Sequence, residues 1–288
     1  MKKQFKQRQL LMVLLCSLAV VALVVTGGGL YWQSQMNDGV HIASAGQSQT
    51  VPTVLEQQPV TQEPEPEQEP ANPYGVDPEK PMLALTFDDG PSKYTWEIVE
   101  TLRSHNARAT FFLLGNRVAT HQAAIDNLLA NHNQLGSHSF SHQKLTSLTE
   151  AQMVEQILPV EEALQKQHQV TTTVYRVPYG AQNAQVRAVL QKYDKPIIGW
   201  SVDPYDWKVK NKQKIVDHVL RSVQDGDIVL MHDIYGTTAE AVAELVPALQ
   251  AQGYQLVTVE ELFALRGYSL EAGQFYKRLG EPVVPKTG

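Results

Sequence analysis

Over residues 81–268 the chain alternates between short apolar runs and stretches in which apolar side chains recur every three or four positions. Runs bounded by turn residues predict strands at 83–87, 109–114, 134–137, 174–177, 196–202, 228–232 and 255–259. Most are followed by a helical pattern such as that over 94–105. A strand followed by a helix, about seven times over, is the rhythm of parallel βα units. Roughly 190 residues of such units predict a small, distorted (β/α) barrel of the TIM kind, with an open doubly wound sheet as the alternative. Ser147, three positions before Glu150, reads as a capping box; Val242, Leu245, Val246 and Leu249 form one apolar stripe; and Pro159 is expected to kink its helix. The segment 269–288 is a tail with no readable role.

The residues before 81 follow a different pattern. Lys2, Lys3, Lys6 and Arg8 make a basic tail over 1–9, ahead of an almost unbroken apolar run over 10–32 that ends in Tyr31 and Trp32. About 23 such residues can cross a bilayer core, which needs ~20. Positive charge on the short side places that side in the cytoplasm, and the aromatic pair suits the outer interface. The expectation is a retained single-pass anchor in the cell membrane, with everything after residue 33 outside. The rival is a cleaved signal peptide with its site at Ala43-Ser44-Ala45, far from the apolar run. Residues 33–80, rich in Gln, Glu, Pro, Ser and Thr, carry no apolar periodicity and read as a disordered linker. At ~3.1 Å per residue, about 48 such residues reach as far as ~150 Å, a length suited to a cell wall.

Composition narrows the chemistry. A net charge of -6 offers no basic surface for a phosphate backbone, so nucleic acid is not an expected partner. Cys16, the one cysteine, lies in the apolar run and leaves the rest without a thiol for disulfides, zinc-thiolate sites or nucleophilic attack.

Unusual polar residues then fall where predicted strands end: Asp88-Asp89, His138, Arg176, Asp206 and His232. In a parallel barrel those ends share one face, which is where active sites are built. His138 and His142 are four residues apart and able to share a metal ion, but the spacing also occurs among surface histidines. The metalloprotease form of this spacing has Glu directly after the first His; Ser139 stands there, so a base must come from elsewhere. Asp88 and Asp89 are ordinary turn residues in one reading; in the other, side by side, they supply a third metal ligand and a separate base. Arg176 can hold a carboxylate in bidentate geometry or simply face solvent. Asp203-Pro204-Tyr205-Asp206-Trp207 offers one or two acids and two aromatics, and His232 ends a buried strand as a proton donor near neutral pH. His41, His105, His121, His132, His168 and His218 lack such company and read as structural or exposed.

Taken in order, Thr86-Phe87-Asp88-Asp89-Gly90-Pro91, His138-Ser139-Phe140-Ser141-His142, Arg176-Val177-Pro178-Tyr179-Gly180, Asp203-Pro204-Tyr205-Asp206-Trp207 and Ile228-Val229-Leu230-Met231-His232-Asp233 resemble the five motifs of the NodB-like polysaccharide deacetylases of carbohydrate esterase family four. The resemblance covers about residues 80–265 and departs at Val177, where the family often has a second proline. It implies Asp88 as general base and Asp89, His138 and His142 as ligands of a divalent metal, zinc first and cobalt or nickel as alternatives. It further implies Arg176 orienting Asp88, the Tyr179 N–H facing the oxyanion, and Asp206 holding His232, the general acid. Trp207 and Leu230 would wall the acetyl methyl. The implied activity is hydrolysis of N-acetyl groups on an acetylated glycan, a carbon–nitrogen bond other than a peptide bond. The anchor and linker favour peptidoglycan N-acetylglucosamine as the substrate. Chitin oligomers, poly-N-acetylglucosamine and acetylated xylan are the alternatives, and a non-catalytic glycan-binding module is the competing class.

Overall fold

The computed structural model describes residues 75–283. The basic tail, the anchor and the linker up to residue 74 lie outside the described residues. Among the described residues no helix is long and apolar enough to cross a membrane.

The chain runs β1 (Met82–Asp88), α1 (Thr95–Ser104), β2 (Thr110–Leu113), α2 (Gly115–Val118), α3 (Gln122–Ala130), β3 (Gln134–Ser137), α4 (Glu150–His168) and β4 (Val174–Tyr175). It continues with α5 (Ala184–Lys192), β5 (Ile197–Ile198), α6 (Asp206–Val209), α7 (Lys212–Ser222), β6 (Ile228–His232), α8 (Gly236–Ala251), β7 (Gln255–Leu256), α9 (Val259–Ala264) and β8 (Phe275–Tyr276). The strands lie in the order β6-β1-β2-β3-β4-β5-β8, with β7 beside β1, and all these pairs are parallel. Past β5 the chain meets the β6 segment through two isolated bridges, Val202 to Val229 and, antiparallel, Asp227 to Arg278. The result is a curled parallel sheet, a half-barrel whose gap is spanned by those bridges rather than by a full strand.

Alternation along β1 explains both layers. Leu83, Leu85 and Phe87 point outward into an apolar layer shared with α1 (Ile98, Val99, Leu102) and α8 (Val242, Leu245, Val246). Met82 and Ala84 point inward, where they meet Phe112, Val174, Ile198 and Ile228, and Val259, Leu262 and Phe263 from the α9 segment complete this core. A second outer layer joins α4 and α5 to Tyr175, Ile197 and Phe275. Each such fully buried aliphatic or aromatic side chain contributes about 1.5–3 kcal/mol. The inward row of β1 continues with Thr86 and Asp88, so the interior turns polar at the strands' C-terminal ends.

Several expectations need correction. The strands expected at 174–177 and 196–202 are two residues long, although just beyond them the Arg176 N–H still donates to Ser137 O (2.9 Å) and the Gly199 N–H to Tyr276 O (2.7 Å). The capping box of α4 is Thr149 with Gln152, whereas Ser147 belongs to the preceding 3-10 turn Leu145–Ser147. Pro159 stands within the continuous helix Glu150–His168. The linker does not extend to 80: Val76 is buried and the Asp77 N–H donates to Gln255 Oε1 at 2.8 Å. Nor is 269–288 simply a tail, since β8 pairs with β5 and Tyr276 packs edge-on to Phe263.

Candidate active site

Asp88, the last inward residue of β1, meets Arg176, which leaves β4 and turns into the interior. The Arg176 guanidinium is completely buried and donates through Nε to Ile198 O (3.1 Å), through one terminal nitrogen to Thr86 Oγ1 (2.7 Å) and Asp88 Oδ1 (2.8 Å), and through the other to Gly199 O (2.8 Å). Its face lies 4.0 Å from the centroid of the Phe112 ring. Burial pushes the Asp88 carboxyl up, but the Arg176 charge, then His138 and His232, and the Arg176 hydrogen bond together hold it below its ordinary value. Asp88 is therefore ionised and aimed, as a general base requires.

The next residue turns the other way. Asp89 has φ 70, in the left-handed region, and its Oδ1 lies 3.6 Å from His138 Nε2 and 3.5 Å from His142 Nε2. His138 follows β3; its N–H donates to Leu113 O at 2.9 Å, and its Nδ1 lies 2.7 Å from Arg176 O. That contact makes Nδ1 the protonated nitrogen and turns the Nε2 lone pair toward Asp89. The loop carrying His142 is pinned by Gly115 N–H to Ser139 O (3.0 Å), by His142 N–H to Ser139 Oγ (2.9 Å) and by Ser141 N–H to Gln156 Oε1 (3.0 Å). Burial first, then His138, lowers the His142 pKa against the pull of Asp89 and Asp88, so the ring is neutral and able to ligate.

These three groups fit a divalent cation. Ligand atoms about 2.0–2.1 Å from a tetrahedral metal stand roughly 3.4 Å apart, close to the two separations above. The atoms all lie within 4.8 Å of one another. Asp89 Oδ1 is buried without a hydrogen-bond partner among the described residues, a deficit a metal bond would relieve.

On the opposite side of Asp88, His232 ends β6 in direct register with it. Asp206, completely buried, accepts from His232 Nδ1 (2.9 Å) and His232 N–H (2.8 Å) and from the Thr238 hydroxyl (2.7 Å). Burial lowers the His232 pKa, but the Asp206 hydrogen bond and charge, with Asp88 and Asp89 behind, raise it to about 9. His232 is thus held protonated at neutral pH. Asp203 takes no part in this pair: its carboxylate accepts from the Tyr205 N–H (2.8 Å) and lines a separate flank cavity of about 530 Å³ with Trp200, His218 and Arg278.

The remaining expected residues surround this centre. Tyr179 has φ 62 and sets its ring edge-on to His142, centroids 4.6 Å apart. Leu230 is buried on the His232 face of β6, and Trp207 lies half exposed beside Asp206. Sequence reasoning missed Thr86, Thr238 and Gln156, which orient the functional groups. For Thr86 a signal existed, since it stands two places before Asp88 on the same strand face. It also missed that Asp89, Ser139, His142, Tyr179 and Tyr205 all adopt positive φ. Each such residue costs roughly 1–2 kcal/mol, and their concentration here marks a site held in place by its surroundings.

Three side chains placed to hold a metal, flanked by an ionised carboxylate and a protonated imidazole on a parallel α/β frame, make the arrangement of a metal-dependent hydrolase site. The chain belongs to the polysaccharide deacetylase family, whose model matches residues 75–198. It is 42% identical over 188 residues to the peptidoglycan-N-acetylmuramic acid deacetylase PdaC of Bacillus subtilis, covering 65% of this chain but only 40% of that relative. It is 33% identical over 187 residues to a peptidoglycan-N-acetylglucosamine deacetylase of Bacillus cereus, covering 63% of this chain and 87% of the relative. The solved structure of PdaC superposes with a TM-score of 0.63 at 40% identity, covering 65% of this chain and 92% of that one.

Proposed function

We propose that this protein hydrolyses N-acetyl groups on a cell-surface glycan, with peptidoglycan N-acetylglucosamine as the substrate. The carrying observation is the register that pairs Asp88 with His232 across adjacent strands, with the Asp89-His138-His142 triad beside them. A base and an acid with pKa values pushed apart, next to a metal site, are the parts that amide hydrolysis needs.

A divalent cation held by Asp89, His138 and His142, with zinc the first choice and cobalt or nickel the alternatives, supplies Lewis acidity toward water and the acyl carbonyl. Asp88 accepts a proton from the attacking water, and Arg176 keeps it ionised for that task. The Tyr179 N–H donates to the developing oxyanion, an interaction worth about 3 kcal/mol where such donors have been removed. His232, its Nδ1–H fixed on Asp206, gives its proton to the amine as the C–N bond breaks, leaving acetate and a free amino sugar. Leu230 and Trp207 wall the acetyl methyl.

The choice of polymer is supported by the basic, apolar and Pro/Glu-rich order of residues 1–74, which suits a single-pass anchor and a wall-length linker. It is also supported by the two relatives, named for the two sugars of peptidoglycan. Chitin oligomers, poly-N-acetylglucosamine and acetylated xylan are the competing substrates. A non-catalytic glycan-binding module is the competing class; the intact set of base, acid and ligands argues against it, since burying these groups is costly without chemistry to perform. The test is incubation of the zinc-loaded protein with each polymer, followed by acetate assay and mass spectrometry of the products. Deacetylated glucosamine from peptidoglycan is the expected result. Loss of acetyl from muramic acid alone would move the assignment to that sugar, and no acetate from any polymer would refute the reading.

A further inference from the structure

Asp233, directly after the general acid, is a buried carboxyl that the mechanism above does not use. It is completely inaccessible, and its Oδ2 accepts a hydrogen bond from the Thr95 hydroxyl at the start of α1. Thr95 Oγ1 in turn accepts from the Ser92 N–H at 2.8 Å, and the Ser92 hydroxyl donates back to the Asp233 carbonyl. The carboxyl also lies directly against Gly90: a Cβ at that position would collide with both Asp233 oxygens. Residues 90–95, the continuation of the turn that bears the base and a metal ligand, thus rest on one side chain of the strand that bears the acid. Leu114 N–H to Gly90 O (3.0 Å) holds the turn from its other side.

A core-filling role does not explain a carboxyl here. Asp233 Oδ1 has no hydrogen-bond partner among the described residues, and leaving a buried polar atom unpaired is destabilising. An apolar side chain of similar size would avoid that cost but could not accept from Thr95. Because Asp88 is the register partner of His232, whatever fixes the chain just beyond both residues sets the spacing of base, metal ligand and acid.

We propose that Asp233 is a positioning residue: its carboxyl, bearing on Gly90 and tied through Thr95 to Ser92, sets the height of the Asp88-Asp89 turn relative to His232. This rests on the deacetylase reading for its catalytic consequence, though not for its effect on metal binding.

The test compares Asp233→Ala, Asp233→Asn and Thr95→Val in the full chain, measuring kcat and KM on acetylated glycan oligomers, zinc affinity by calorimetric titration, and thermal midpoint. Asp233→Ala is expected to lower kcat by roughly 10–100-fold and zinc affinity by about 10-fold, with KM little changed. Asp233→Asn keeps the shape and an acceptor for Thr95, and is expected to recover kcat to within about 3-fold. Thr95→Val should move in the same direction as Asp233→Ala by less, and carries the test if the alanine variant does not fold. Parental kcat and zinc affinity in Asp233→Ala, or in Thr95→Val where that variant stands in, would overturn the proposal. So would an Asp233→Asn variant as impaired as the alanine, because that would make charge rather than shape the operative property. If the parent protein released no acetate from any glycan, the change in zinc affinity would still decide the positioning claim.

Discussion

Two ion pairs flank the metal triad, and they are built to different ends. Asp88 and Arg176 are both inaccessible, and Arg176 is fixed by four hydrogen bonds, two of them to main-chain carbonyls of the β5 segment. His232 is partly accessible beside a fully buried Asp206, and only its Nδ1 and main-chain N–H are engaged by that partner. The first pair is part of the frame and pushes a carboxyl pKa down; the second holds a partly accessible imidazole and pushes its pKa up. Cutting the first should therefore damage the fold more than cutting the second, although both should damage the chemistry.

The largest effect is expected from the base itself. Asp88→Asn should lower kcat by roughly 10²–10⁴-fold while metal content, measured by elemental analysis, stays at one ion per chain. Arg176→Met separates the pairs most clearly, because it leaves the Asp88 carboxylate buried without its partner. A loss of about 3–5 kcal/mol in denaturant unfolding is expected, and a loss below 1 kcal/mol would remove the distinction drawn here.

Asp206→Asn should cost less stability than Arg176→Met and return His232 toward its ordinary pKa. In the metal-free parent the imidazole is expected to titrate near 9 by NMR, well above its usual 6.5. Because the folded pKa is the higher one, this pair's stabilisation is complete below about 6.5 and is lost as pH rises through about 9. The Asp88 pair has the opposite sign: its contribution is present above 3.8 and is lost as pH falls through a still lower folded value. In Asp206→Asn the alkaline loss should vanish and the NMR midpoint should fall. The smallest expected effect is that of Thr238→Val, which removes one of the three donors to Asp206 and should cost about 1 kcal/mol in unfolding.

The two sides of the site also differ in how far they were legible from sequence. β1, β3 and β6 lie close to where their apolar runs placed them, because each is a ladder strand with clear turn residues after it. Motif residues at strand ends were readable for the same reason: a polar group that breaks an apolar run stands out. Of the supporting hydroxyls only Thr86 carried a signal, its place on the Asp88 face of β1. Thr95 and Thr238 lie in ordinary helix patterns, and only tertiary contact makes them orienting groups. β8 escaped notice because two residues carry no period, and its partner β5 is equally short. The Ser147 and Thr149 patterns both satisfy a capping box, and the choice between them was made by the 3-10 turn that takes Ser147.

The central claim is that one metal centre and the Asp88 base act together on a glycan N-acetyl group. Its most direct test is acetate release from intact peptidoglycan by the parent protein before chelation, after chelation and after zinc is restored, with zinc-loaded Asp88→Asn run alongside. The account predicts release that disappears with the metal, returns with it, and is almost absent from the variant. Release that survives chelation, or a variant as active as its parent, would contradict it.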